Sequence, residues 1–199
     1  GMCRERGEGV QRDQHAAVRA FRSAAELGMP DAQVLLALNL ESGVGCEKDE
    51  GEAVEWYRRA AEAHGNTDAV YLLARCHLDG RGTAKDAPAA LARFGEGAEA
   101  HGDARAMLQL GMCAQFGIGR DKDLGAAFGW FLRAAELGSP EGMLNAGLCY
   151  TEGLGVQADP QRAQEWLERA AGRGVPTART MAYLRGDPRL KARWELTRD

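Results

Sequence analysis

A Gly-x-Gly step recurs at Gly7/Gly9, Gly43/Gly45, Gly80/Gly82, Gly117/Gly119 and Gly153/Gly155, at intervals of 36, 37, 37 and 36 residues. Self-similarity at such a period marks a repeat architecture and constrains the fold more than any local propensity does. Other registers run in phase with it. Four positions after each second glycine stands Asp13, Asp49, Asp86, Asp123 or Asp159, and eight after it Ala17, Ala53, Ala90, Ala127 or Ala163. Twelve after it comes a large apolar residue: Phe21, Tyr57, Phe94, Phe131 or Leu167. Each unit then passes a pair of small residues and closes on Gly28, Gly65, Gly102, Gly138 or Gly174.

Each unit reads as two helices. In the first complete copy one runs from about Asp31 to Ser42, with Ala32, Leu36 and Leu40 along one face. Gly43 and Gly45 stop it, because glycine reaches the left-handed conformation that ends helices. Asp49 is placed to cap the second helix, which runs to about Ala63 and buries Ala53, Trp56, Tyr57 and Ala60. One such pair cannot bury its apolar face alone. Stacked pairs can, which predicts an all-α solenoid in which each unit touches mainly its neighbours.

The run Ala69-x-x-x-Leu73-Ala74-x-x-His77-x-x-Gly80-x-Gly82, followed by Asp86, Ala90, Phe94, Ala98-Glu99 and Gly102, resembles the Sel-1-like repeat, a relative of the tetratricopeptide repeat. The fourth complete unit fits as well, with Gly147, Tyr150, Gly153-Leu154-Gly155-Val156, Ala163, Trp166 and Ala170-Ala171. The resemblance implies an α/α right-handed superhelix that serves as an adaptor or scaffold in protein complexes. His77 and Ala114 stand where the pattern has tyrosine. Gly95 and Gly97 loosen one second helix, and Gly172 replaces a glutamate.

The expected organisation is a single repeat domain over residues 1–199, with a half repeat at 7–28, repeats at 31–65, 66–102, 103–138 and 139–174, and a cap at 175–199. The half repeat has no first helix of its own. Its inner face would be covered either by upstream sequence or by another copy, which makes a homo-oligomer through this end possible. Ala178 to Leu184 reads as the start of a further first helix, with a last helix around Leu190 to Leu196.

A formal charge of -4 argues against nucleic acid as a partner, since that needs a basic face. The longest stretch free of formal charge, Ala106 to Gly119, is too short to span a bilayer. No leader is visible, because Cys3, Arg4, Glu5 and Arg6 sit where one would be apolar. This points to the cytoplasm, although Gly1 ahead of Met2 reads as an added residue and a native leader could have been removed.

Chemistry-bearing residues do not assemble into a motif. Cys76, Cys113 and Cys149 share one register, and equivalent points of stacked helices lie about 8–10 Å apart, beyond the ~7 Å that a disulfide tolerates. Some cysteine-rich relatives bridge the two helices of one repeat, but here no unit supplies the second cysteine. The three read as buried small apolar residues. No Cys-x-x-Cys points to zinc, and neither cofactor nor metal is expected. His64 and His101 read as turn residues at helix C-termini, and His77 as a hydrogen-bonded packing residue. His15 has no nearby carboxylate or cysteine partner in an ordered motif. Gly-x-Gly follows a helix and lacks the lysine of a phosphate loop. The expectation is a protein that is not an enzyme.

A partner face follows from the first helices. With Leu36, Leu73, Leu110 and Ala146 towards the core, positions two before and two after lie roughly 160° away. The earlier row is Val34, Tyr71, Leu108 and Leu144. The later row is Leu38, Arg75, Met112 and Leu148, with Glu41, Leu78, Gln115 and Thr151 and then Ser42, Asp79, Phe116 and Glu152 beyond it. In tetratricopeptide-like stacks this face lines the concave groove, so the expected partner is a protein or peptide, anchored by Tyr71, Arg75, Met112 and Phe116. The same rows could instead be buried between neighbouring first helices. Two other functions remain open: a cell-wall or β-lactam-related enzyme of the cysteine-rich repeat type, and a self-assembling structural solenoid.

Overall fold

The computed structural model describes residues 14–176. Among them are nine helices: α1 (Gln14–Glu26), α2 (Pro30–Ser42), α3 (Glu50–His64), α4 (Thr67–Asp79), α5 (Ala87–Ala100), α6 (Ala104–Phe116), α7 (Leu124–Glu136), α8 (Pro140–Glu152) and α9 (Pro160–Gly172). The expected all-α array of two-helix repeats is what the chain forms. Asp13, the tail that follows residue 176, and the helices expected near Ala178 and Leu190 lie outside the described residues. The chain divides into two compact units, one ending at Arg93 and the other beginning at Phe94, so the division falls inside α5.

Capping sets where the helices start and stop. Asp49 accepts from the Glu52 backbone N–H at 2.8 Å, Asp86 from Ala89 at 2.9 Å and Asp123 from Ala126 at 2.9 Å. Asp159 accepts from both Gln161 and Arg162 at 3.0 Å. Each such cap is worth about 0.5–2 kcal/mol. At the other end, Gly43, Gly80, Gly117 and Gly153 close α2, α4, α6 and α8 in the left-handed region. The recurring aspartate and first glycine are therefore helix punctuation.

The second glycine of the step has a different task. A Cβ on Gly45 would meet the Gln14 carbonyl, one on Gly82 the Glu50 carbonyl, and one on Gly155 the Leu124 carbonyl. Each of these carbonyls belongs to the first residue of the second helix in the preceding repeat. Successive repeats thus touch backbone to backbone at this point, which no residue with a Cβ permits.

The cores follow a large-into-small rule. In the first unit Leu36, Ala37, Leu40, Ala53, Val54, Tyr57, Ala60, Val70 and Leu73 form one buried cluster. In the second unit Phe131 packs where Gly111 leaves room, and Leu167 where Gly147 does. A Cβ on Gly111 would strike the Phe131 ring, and one on Gly147 would sit 2.8 Å from Leu167 Cγ. Gly142 lies against the backbone of Ala134 and Ala135, so α8 approaches α7 closely.

The first described helix, α1, is the exception. Ala53, Ala90, Ala127 and Ala163 are buried, whereas Ala17 in the same register is exposed. Phe21 is half-buried where Tyr57, Phe94, Phe131 and Leu167 are fully enclosed.

Candidate functional site

The predicted partner face separates into two rows with different burial. In the first unit, Val34 retains 8% of its surface and belongs to the core cluster, so it offers almost nothing to a partner. Tyr71 and Arg75 are half-buried, and Leu38 is 39% exposed. In the second unit, Leu108, Leu144 and Leu148 are half-buried, and the first two pack on the cores. Met112 and Phe116 are 43% and 65% exposed. The earlier row borders the core because the apolar stripe of a packed helix is at least ~100° wide. The later row is the more open.

Sequence reasoning missed several exposed apolar residues on or beside these helices. Leu35 lies on α2, while Val44 and Ile118 stand in the middle of their Gly-x-Gly steps. The signal was present, since Val44, Arg81, Ile118 and Leu154 share one register and only Arg81 is charged.

Arg81 is accommodated by a polar cluster inside the first unit. Glu41 accepts from the Tyr57 hydroxyl at 2.9 Å and pairs with Arg81. Asp79 lies 3.2 Å from Arg81 Nε, and Arg75 3.9 Å from Asp79. Burial, followed by the hydrogen bond to Glu41 and then its charge, raises the Tyr57 hydroxyl well above its ordinary range. Glu41, which the sequence places just beyond the later row of the partner face, is thus committed to its own chain.

The second helices carry a further pattern. Arg59, Arg133 and Arg169 stack over Trp56, Trp130 and Trp166 with 4.6, 4.6 and 4.8 Å from guanidinium to ring centre. Ion pairs link neighbouring second helices: Arg22 to Glu52 at 2.5 and 3.2 Å, Arg93 to Glu62 at 3.1 Å, and Arg133 to Glu99 at 2.7 and 3.1 Å. In the second unit an open cleft of about 610 Å³ lies between α7 and α9, with Glu136, Met143, Trp166, Arg169 and Arg173 in its lining. Arg173 donates to the Gly138 carbonyl at its edge, at 3.3 Å.

Cys76, Cys113 and Cys149 are buried and free, as their register implies. Burial pushes the Cys76 and Cys149 thiols up to about 11 and raises Cys113 as well. Such thiols stay protonated and weakly nucleophilic at neutral pH. His15 Nδ1 lies 2.9 Å from the Gly45 carbonyl, tying α1 to the next loop. His101 is exposed, and the His64 side chain lies outside the described residues. For His77 the reading needs correction. Its Nδ1 is buried without a hydrogen-bond partner. Among the described residues no group of three or more potential ligands could hold a metal ion, and no helix is long and apolar enough to cross a membrane.

Helix pairs joined by a glycine step, capped by aspartate and stacked large-into-small define an α-helical repeat protein with open first-helix faces. The chain belongs to the Sel1 repeat family, whose model matches residues 1–29, 30–64, 67–92, 104–139 and 140–175. Members of this family commonly mediate protein–protein interaction and are generally non-enzymatic scaffolds. Among solved structures, a Sel1 repeat protein from Oxalobacter formigenes superposes with a TM-score of 0.80 at 34% identity, covering 90% of this chain and 73% of that one. A protective antigen of uropathogenic Escherichia coli strains with an SLR fold gives 0.82 at 28% identity, covering 92% of this chain and 39% of that one. No curated protein matches the chain.

Proposed function

We propose that the chain is a binding scaffold that holds a protein or peptide segment on the exposed faces of its first helices. The observation that carries this reading is the exposure of Met112 and Phe116 one turn apart on α6, on the helix whose Ala106, Leu110 and Cys113 are buried. Large apolar side chains grouped on one helix face have a ready use in recognition, since Met and aromatic residues are favoured at interface centres. Leu38, Tyr71 and Arg75 occupy the corresponding face of the first unit. Affinity capture from a cell extract with the wild type and a Tyr71→Ala/Met112→Ala variant tests it. Specific partners held by the wild type and lost by the variant are the expected result. An unchanged set of partners would remove this face from consideration.

A further inference from the structure

Helices α7 and α9 carry the same side-chain pair in different surroundings. A shift of 36 residues carries Trp130 onto Trp166 and Arg133 onto Arg169. Each arginine lies over its tryptophan ring, at 4.6 Å in α7 and 4.8 Å in α9. Stacked in this way, Arg133 takes the Glu99 carboxylate through both terminal nitrogens, at 2.7 and 3.1 Å. Glu136 stands one repeat on from Glu99, yet among the described residues Arg169 makes no ion pair. Both instead line the open cleft of about 610 Å³ between α7 and α9.

From this we infer that the cleft binds a carboxylate attached to an aromatic or aliphatic body, with Arg169 gripping that carboxylate as Arg133 grips Glu99. The site is separate from the first-helix faces proposed above. Stacking on a ring fixes the plane of a guanidinium and leaves its N–H edge for a two-pronged acceptor, which a carboxylate is. Arg173 follows one turn later and adds a second guanidinium, held at the rim by its 3.3 Å hydrogen bond to the Gly138 carbonyl. The helix ends that meet here are closed by their own backbone. Gly138 and Ser139 donate to the Ala135 and Ala134 carbonyls, and Gly174 and Val175 to those of Ala171 and Ala170. With those carbonyls taken, the helix ends oppose an anion only weakly. Buried Met143 and the Trp166 ring give the body of the ligand an apolar wall. Glu136 supplies the negative charge of the lining. It disfavours polyanions and competes for Arg169, so the site suits a single carboxylate.

Two-dimensional NMR titration of the isotope-labelled full chain tests the assignment. The probes are phenylacetate, phenylacetamide, and a tripeptide ending in phenylalanine with its C-terminus either free or amidated. Both guanidinium groups are exposed, so saturation in the millimolar range is expected. Phenylacetate should shift the Trp166 indole N–H and the backbone amides at the ends of α7 and α9, and phenylacetamide should not. Arg169→Gln should weaken binding at least about fivefold, and Glu136→Gln, which removes the competitor, should tighten it. Arg133→Gln should leave it unchanged, because Arg133 is already occupied by Glu99. All three positions are exposed, so these changes spare the core. Saturation by the free tripeptide would extend the ligand class to a chain end, and saturation by phenylacetate alone would restrict it to small acids; either supports the assignment. No saturable shift from any carboxylate, equal shifts from the amides, or an affinity that ignores Arg169→Gln and Glu136→Gln would overturn it.

Discussion

The Tyr57 hydroxyl donates to the Glu41 carboxylate at 2.9 Å, and the same carboxylate pairs with Arg81 from the next repeat's loop. The other loops carry Val44, Ile118 and Leu154 in place of Arg81, and the next unit carries Leu78 in place of Glu41. Glu41→Leu or Arg81→Ile alone should therefore destabilise by about 1–3 kcal/mol, because the first leaves Arg81 with Asp79 only and removes the acceptor of the Tyr57 hydroxyl, and the second leaves Glu41 with that hydroxyl only. The double change should lose less than the sum of the two single losses, the remaining cost being the buried Tyr57 hydroxyl without its acceptor. A double-mutant cycle from urea melts measures the coupling, and additive losses would show that the pair is independent.

Two classes of helical glycine should respond in opposite directions to alanine. A Cβ on Gly95 or Gly129 meets nothing within 4 Å. Gly95→Ala and Gly129→Ala should each stabilise by roughly 0.5–1 kcal/mol, raising Tm by about 1–4 °C for a chain of this size. Gly111→Ala and Gly147→Ala drive a methyl into Phe131 and Leu167 and should lose about 1–3 kcal/mol. Thermal melts followed by circular dichroism give the sign directly.

Glu52 gives the stability a measurable acid limb. The Arg22 hydrogen bonds hold its carboxyl below the ordinary value of 4.5. A carboxylate lowered on folding stabilises above that ordinary value, and the contribution vanishes as pH falls through the lowered one. With both side chains about a third exposed, the contribution is about 1 kcal/mol or less. Glu52→Gln should thus be less stable than wild type at pH 7, with the gap closing as pH falls below the ordinary carboxyl range.

Thiol chemistry reports on the cores. Cys46 is half-buried, whereas Cys76, Cys113 and Cys149 are enclosed. Iodoacetamide labelling followed by peptide mass mapping should find Cys46 modified at least tenfold faster than those three in native protein. Because unfolded thiols ionise near 9.0 and folded Cys76 and Cys149 only near 11, the protein should lose stability as pH rises between those values.

The fold was legible because its rules are local and repeated. Aspartate at a fixed distance from glycine marks a cap, and a large residue set against a small one marks a contact between two helices. Five copies in phase leave one solution. The partner face was less legible, because two residues along a helix move a side chain only part-way round it. Val34 and Leu38 read alike in sequence, yet the first completes the core and the second faces water. Glu41 reads as a rim residue until Tyr57 and Arg81, 16 and 40 positions away, are seen to reach it. His77 shows the remaining limit: a register tells which residue belongs in a place, not whether its buried Nδ1 finds a hydrogen-bond partner.

Where Gly45, Gly82 and Gly155 rest on carbonyls of the preceding repeat, main chain sets the approach at that point. The outward side chains of α2, α4, α6 and α8 are relieved of that duty. Substitution there can change the surface these helices present without touching the main-chain contacts at which one module meets the next.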